Sequence, residues 1–295
     1  MVPLRTLCVP AKVNLALHVT GRRSDGYHLL DTLVAYTDAW FDTVSVVPAK
    51  RISLKVSGDH AEGVPTDDRN LVVRALKRLA TSQAVEDGLS VSLDKGIPVA
   101  SGLGGGTGDA AAALILARDA WGLTCDLADH AAAIGADGPM CLHGCAVGGV
   151  LRATGAGEAL ETQADLPACG ALLVNPGVPV ETAAVFRYLE RRDEPPIPAL
   201  NWADGFDALI DGLQATTNSL EEPAIRTAPE IGQVLETLNR LPRCRIARMS
   251  GSGATCFGLF DHEGEAREAA ALVSAAQPGW HVGAGDFRPR TSRVS

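Results

Sequence analysis

Apolar and polar positions change rhythm several times along this chain. Leu4 to Thr20 carries apolar residues at strand density, interrupted at Pro10. Phe41 to Val47 and Ile52 to Val56 alternate apolar and polar positions, the period-two pattern of half-buried strands. Over Asn70 to Thr81 the period lengthens to that of a helix. Leu71, Ala75 and Leu79 fall on one face, with Arg74, Lys77 and Arg78 opposite. Leu89 to Leu93 alternates again. A glycine-rich stretch then leads into Ala110 to Trp121, an alanine-rich run that predicts a buried helix. A shorter helix is predicted over Asp126 to Ile134, ended by Gly135.

The second half has a different rhythm. A strand is predicted at Ala171 to Val174 and a helix at Thr182 to Arg191. Arg191 to Pro198 is charged and proline-rich, which predicts a surface loop. Pro229 to Leu241 has helical period. Two strands, Arg243 to Met249 and Ala254 to Phe260, flank a Ser-Gly-Ser-Gly turn. A helix over Glu263 to Ala276 and a strand over Trp280 to Phe287 complete the chain. This order predicts an α+β sandwich with helices on one face of a sheet. A boundary near 155 to 165 gives two domains, 1–160 and 161–295.

Composition sharpens this picture. The chain has 295 residues, 46% hydrophobic, enough for a core in each of two domains. Its formal net charge of -9 disfavours a nucleic-acid partner, whose phosphates a surface of that sign repels. Seven cysteines, an odd number without any CxxC, argue against a disulfide framework and for a reducing compartment. Cys141, His143 and Cys145 resemble a metal cluster only in passing. No second ligand pair lies near them, so they read as buried small residues and no metal site is expected. The opening MVPLRTLCVPAKVN lacks the continuous apolar stretch of a secretory leader, and no run is long enough to span a membrane. A cytoplasmic protein without a membrane partner is expected.

The glycine-rich stretch is the first candidate for chemistry. Ser101-Gly102-Leu-Gly104-Gly105-Gly106-Thr107-Gly108-Asp109 stands just before the alanine-rich helix. Glycines let a backbone approach a ligand closely, and a helix N-terminus offers unpaired N–H groups and a positive dipole end. Together they can cradle an anion, and Thr107 adds a hydroxyl. No lysine follows as in a Walker loop, and the position in mid-domain does not suit a dinucleotide fold. Two readings stand at this point, a phosphate cradle and a turn that merely permits tight packing of helix on strand.

Further motifs accompany the loop in order. They are Pro-Ala-Lys12-Val-Asn14-Leu, Gly21-Arg-Arg-Ser-Asp25-Gly26-Tyr27-His28, Asp68-Arg-Asn70-Leu, Lys95-Gly-Ile-Pro98, Gly135-Ala-Asp137, Asn175-Pro-Gly177 and Ser250-Gly-Ser-Gly-Ala254. Over nearly the whole length the chain resembles the GHMP kinase superfamily. The Asp-Gly-Tyr-His stretch and the Gly-Leu-Gly-Gly-Gly loop resemble the members that phosphorylate a cytidine-diphosphate-linked methylerythritol. The resemblance implies an N-terminal ribosomal-protein-like α/β domain, a C-terminal ferredoxin-like α/β sandwich, and an active site in the cleft between them. It also implies ATP as phosphate donor, Mg²⁺ carried with its phosphates, and a small-molecule acceptor in non-mevalonate isoprenoid biosynthesis. A monomer or weak homodimer is expected.

Site residues follow from the same resemblance. Asp137 takes the place of a catalytic aspartate, though its sequence context alone suits a turn residue. Lys12, a cation in an apolar strand, would stand beside that aspartate and the transferring phosphoryl. Tyr27, His28 and Phe186 would form a cytidine pocket, with base–aromatic stacking and imidazole hydrogen bonds. Asn14 would orient substrate, and Thr182, Gly251 and Gly253 would adjoin it. Ser101, Gly102, Gly104, Gly105, Gly106 and Thr107 would hold nucleotide phosphates. Asn70 and Lys95 are candidates for the adenosine side, or else a helix cap and a solvated lysine. One departure is visible: Gly108 stands where such kinases usually have a second hydroxyl residue. Gly108 is expected to widen the loop, and serine there to be tolerated. Alternatives stay open, namely a GHMP kinase for mevalonate, homoserine or a sugar, and a non-catalytic nucleotide-binding relative.

Overall fold

The computed structural model describes residues 4–24 and 26–288; Asp25 of the Asp-Gly-Tyr-His motif lies outside the described residues. The first elements are β1 (Arg5–Arg22), β2 (His28–Ala49), β3 (Ser53–Ser57), α1 (Leu71–Ser82), β4 (Gly88–Asp94), α2 (Gly105–Ala120), α3 (Ala128–Ala132) and α4 (Gly138–Ala146). Then come β5 (Val150–Gly155), β6 (Ala159–Gln163), β7 (Gly170–Asn175), α5 (Thr182–Tyr188), α6 (Phe206–Gln214), α7 (Glu221–Thr227) and α8 (Glu230–Arg240). The last are β8 (Ile246–Met249), β9 (Cys256–Phe260), α9 (Glu263–Ala276) and β10 (His281–Asp286). They fall into two compact units that interleave in sequence. One takes Met1–Ala11, Phe41–Val99 and Gly104–Val147; the other takes Lys12–Trp40, Ala100–Leu103 and Gly148–Ser295.

In the first unit β4 pairs antiparallel with β2 (Val46 opposite Val91) and parallel with β3 (Leu54 opposite Val91). Apolar residues of these strands meet Val72, Leu76 and Leu79 of α1 in one core with α2. Burying each such leucine stabilises by roughly 1.5–3 kcal/mol. Asn70 starts α1 as its N-cap, accepting from Val72 N at 2.8 Å. Helix α2 is buried continuously from Gly108 to Ala117, and its alanines let α1 and α4 both pack against it. It begins five residues before the alanine run. Glycine weakens a helix interior but is acceptable in a first turn, where no helical N–H bond is lost.

Strand β1 runs through Pro10 without a break. Among the named strands of the described residues it pairs with β2, and such an edge strand tolerates a proline whose missing donor faces away from its partner.

In the second unit β5 lies between β2 and β6, all antiparallel. A separate antiparallel sheet has the order β10-β7-β9-β8. Leu172 and Val174 of β7 and Cys256 and Phe260 of β9 share one core with Ile231 and Val234 of α8 and Ala266 and Val273 of α9. Helices thus cover one face of this sheet, the sandwich expected from the helix–strand order. The proline-rich loop is not simply a surface feature. Asp31 accepts from Ile197 N at 2.9 Å and from both ends of the Arg152 guanidinium, pinning the loop at buried Ile197.

One buried arginine holds the second unit's segments in place. The Arg248 guanidinium donates to Leu15 O at 2.7 Å, Leu213 O at 2.9 Å, and Thr216 O and Oγ1 at 2.8 and 3.0 Å. It therefore ties β8 to β1 and to the C-terminal end of α6. Burial pushes its charged form down, which Glu221 opposes. Arg248→Met keeps the apolar volume and leaves these acceptors without a donor, at about 1–3 kcal/mol each. Urea unfolding is expected to show a loss of at least ~3 kcal/mol, with Arg248→Lys recovering only part. An unchanged midpoint contradicts this role.

Candidate active site

In the second unit Lys12 and Asn14 are two positions apart on β1 and so share a face. Both are 3% exposed. Lys12 Nζ donates to Asn14 Oδ1 at 2.8 Å, and Asn14 Nδ2 donates to Thr32 Oγ1 at 2.8 Å. Thr32 Oγ1 in turn donates to Ala16 O at 2.7 Å. The relay fixes which way the asparagine amide points, and it gives the buried ammonium an oxygen partner.

Two remote turns close on this pair. Lys12 N donates to Leu103 O at 3.0 Å, and Asn14 N donates to Ser250 Oγ at 3.0 Å. Thr255 N donates to Ser101 O at 3.2 Å. A Cβ on Gly102, whose φ is +77°, would stand 2.4 Å from Gly253 O. Gly251, at φ +58°, would put a Cβ 3.2 Å from Asn14 Oδ1. Asn218 Nδ2 donates to Met249 O and Gly251 O, fixing the 250–253 turn from behind. Thr182 Oγ1 and Ser252 Oγ lie 2.8 Å apart, bringing the start of α5 to the same turn.

The aromatic residues are arranged differently from an open sandwich. The rings of His28 and Phe186 stack directly, with centroids 4.4 Å apart and planes at 19°. A third ring between them would need about 7 Å, two layers of van der Waals contact. His28 and Phe186 therefore do not hold a base between themselves. Tyr27 is 63% exposed. Burial, helped by the Arg192 and Arg22 charges, pushes the His28 imidazole below its usual range, so it is neutral at pH 7. Its Nε2 is buried with no hydrogen-bond partner among the described residues.

In the first unit the glycine-rich turn opens α2. Gly104 is its N-cap at φ +71°. The first-turn N–H groups that follow have no carbonyl one turn earlier to bond. Gly106 faces open space, and Thr107 is half-buried beside it. Gly105 is underlain by Ile97 and by Lys95 Nζ, at 3.1 and 3.3 Å from an ideal Cβ. Gly108 does not widen the loop. It lies within α2, and a Cβ there would be 2.6 Å from Val9 Cγ1. The sulfurs of Cys141 and Cys145 approach Gly104 O and Gly108 O at 3.7 Å, so these cysteines seat α4 on α2. No metal-binding cluster of three such ligands occurs among the described residues.

Asp137 is the N-cap residue of α4, and its side chain makes no capping bond to that helix. Its position depends on Gly138, where a Cβ would meet Ala131 O at 1.8 Å. Sequence reasoning missed Gly138; a glycine directly after the aspartate was the available signal. Asn70 has both ends engaged, its Nδ2 donating to Pro65 O at 2.7 Å. Lys95 is neither solvated nor open: it is 4% exposed, between Asp42 at 2.5 Å and Asp109 at 2.9 Å. The second unit thus gathers an ammonium, a fixed amide and two glycine turns. The first gathers open helix-terminal amides, a hydroxyl and a carboxylate. These groups suit handling of phosphate and removal of a proton from a hydroxyl.

Comparison with known proteins agrees with that chemistry. The family model for the GHMP kinases N terminal domain matches residues 70–148, and that for the GHMP kinases C terminal region matches residues 198–278. A 4-diphosphocytidyl-2-C-methyl-D-erythritol kinase of Jannaschia sp. is 51% identical over 261 residues, 88% of this chain and 90% of that one. One of Granulibacter bethesdensis is 46% identical over 288 residues, 95% and 93% of the two chains. A crystal structure of 4-(cytidine 5'-diphospho)-2C-methyl-D-erythritol kinase superposes with TM-score 0.78 at 33% identity, covering 96% of this chain and 99% of that one. A homoserine kinase from Cytophaga hutchinsonii shares the fold, with TM-score 0.68 at 15% identity over 97% and 95% of the two chains.

The packing of Gly108 has a measurable consequence. Val9 is buried in a strand and β-branched, so its methyl cannot swing away cheaply. Gly108→Ser is expected to lower stability by roughly 1–3 kcal/mol through overpacking, and Val9→Ala in the same chain to relieve part of it. Equal melting of parent and Gly108→Ser contradicts the packing account.

Proposed function

This chain belongs to the 4-diphosphocytidyl-2-C-methyl-D-erythritol kinases of the GHMP kinase family, and from that premise we propose that it moves the γ-phosphate of ATP onto the 2-hydroxyl of 4-diphosphocytidyl-2-C-methyl-D-erythritol. The products are the 2-phosphate and ADP, within non-mevalonate isoprenoid precursor synthesis. The observation that carries this reading is 51% identity across 88% of the chain to a kinase of that name.

Each residue then has a physical task. The amides at Gly104, Gly105 and Gly106 receive nucleotide phosphates at the head of α2, with Ser101 and Gly102 shaping the preceding turn and Thr107 adding a hydroxyl. These amides and the Thr107 hydroxyl would hold the phosphates together with the Mg²⁺ they carry, which would shield their charge. Lys12 supplies positive charge where the phosphoryl group separates from ADP. Asp137 accepts the proton of the attacking hydroxyl. Asn14, held by Lys12 and Thr32, orients that hydroxyl. Gly251 and Gly253 let backbone amides face the substrate's diphosphate, and Thr182 closes that side. Neutral His28 reads the cytosine edge, while the outer face of Phe186 and exposed Tyr27 offer stacking surface. Asn70 and Lys95 support the adenosine side from beneath, through the cap of α1 and the floor of the glycine turn.

Incubation with Mg·ATP and a panel of acceptors tests the assignment. ADP and a 2-phosphate are expected with the cytidine-diphosphate acceptor, and no turnover with mevalonate, homoserine or galactose. Phosphorylation of one of those instead overturns it. Asp137→Asn is expected to lower kcat by about 10²–10⁴-fold with both KM values within about threefold, because proton acceptance alone is lost. Turnover within tenfold of the parent shows that Asp137 is not the base.

A further inference from the structure

The cluster beneath the glycine turn has a charge balance that its geometry does not satisfy as drawn. Lys95, Asp42 and Asp109 are 4%, 0% and 2% exposed. Two carboxylates and one ammonium, all ionised, would leave one negative charge buried, which costs several kcal/mol. The carboxylates are not equivalent. Asp42 Oδ1 accepts from Gly96 N and Ile97 N, both at 2.8 Å, and its Oδ2 accepts from Lys95 at 2.5 Å. Asp109 Oδ2 accepts from the same ammonium at 2.9 Å, but its Oδ1 is buried with no partner among the described residues. Negative charge is therefore best solvated on Asp42, and a proton is best placed on Asp109.

We propose that Asp109 folds as a neutral carboxylic acid beside the Lys95–Asp42 ion pair, and that this neutral cluster positions the first turn of α2 for nucleotide phosphates. The positioning part rests on the phosphate-cradle reading above; the proton part does not. Asp109 is one helical turn after Gly105, the glycine underlain by Lys95 Nζ and Ile97. Asp42 fixes the Gly96-Ile97 backbone, so the three side chains set the floor on which Gly105 rests. Burial chiefly, together with the Asp42 charge, pushes the Asp109 carboxyl well up, against the pull of Lys95. For Lys95 burial alone would lower the ammonium; its two carboxyl neighbours, the charged Asp42 among them, outweigh it. From α4, the thiols of Cys141 and Cys145 turn to the neighbouring carbonyls of Gly104 and Gly108.

The sign of the pH dependence follows. An acid whose carboxyl is raised in the folded state binds a proton that the unfolded chain releases near pH 4. The associated stability is complete below that pH and is lost as pH rises through the folded-state value. Urea unfolding of the whole chain from pH 5 to 8 is therefore compared for the parent and Asp109→Asn, which keeps the shape without a titratable proton. Relative to the variant, the parent's folding constant is expected to fall as pH rises over this range, by at most about tenfold per pH unit for the one proton. Parallel profiles overturn the proton assignment. For positioning, Asp109→Ala is expected to raise KM for Mg·ATP about tenfold with kcat little changed, and Asp109→Asn to restore it. If Asp109→Asn folds and its KM rises as much as that of Asp109→Ala, a charge rather than a neutral group is needed and the proposal fails. A parent without ATP turnover would sink the kinase reading, while the unfolding profiles still decide the proton.

Discussion

Two turns meet where a side chain on Gly102 would keep them apart. A Cβ at Gly102 would lie 2.4 Å from Gly253 O and 3.1 Å from Ser250 O. That approach lets Ser101 accept from Thr255 N, Leu103 from Lys12 N, and Ser250 Oγ from Asn14 N. Three segments separated by about 90 and 150 residues become one hydrogen-bonded unit around a buried ammonium. Hydrogen bonds of this kind contribute about 1 kcal/mol each. Their larger effect is to fix the direction in which Lys12 and Asn14 point, which catalysis by positioning requires.

Glycine serves two opposite purposes within a few residues. At Gly102 and Gly108 a side chain is excluded because protein already fills the space; at Gly106 the space is open. Only the last kind leaves room for a ligand. A chain of net charge -9 must attract polyanions locally, and the means are visible. They are helix-terminal amides, one ammonium held by an amide, and an imidazole kept neutral by burial and nearby arginines. Near the turn the buried Asp42 carboxylate is matched by Lys95, so its charge does not confront the phosphates.

Periodicity made the amphipathic helices legible. The expected range Glu263 to Ala276 coincides with α9, and α1 and α8 begin and end within one residue of their patterns. Other features had weaker local signals. Strands β5 and β6 and helices α4, α6 and α7 are short, and several carry no clean alternation. The interleaving of the two units leaves no mark in composition, because β1 and β2 each contribute to both. The motif residues were found by likeness to known kinases, whereas their partners were not. Lys95 looked solvated because its partner Asp42 lies 53 positions away. Asn70 was legible as a cap, since a cap needs only an asparagine and the helix after it. The closed His28–Phe186 stack could not be read from a sequence that places the two rings on separate elements.

The measurement that bears most directly on this account is steady-state turnover of Gly102→Ala, with thermal unfolding as a control. The added methyl cannot fit, and alanine at φ +77° carries roughly 1–2 kcal/mol of backbone strain as well. The 101–103 turn must then part from the 250–253 turn, and a misplacement of about 1 Å can lower turnover by ~100-fold. The account predicts a folded protein whose kcat falls by that order. A folded Gly102→Ala protein with kcat within twofold of the parent would contradict it, because the glycine contact would then not be what holds the site together.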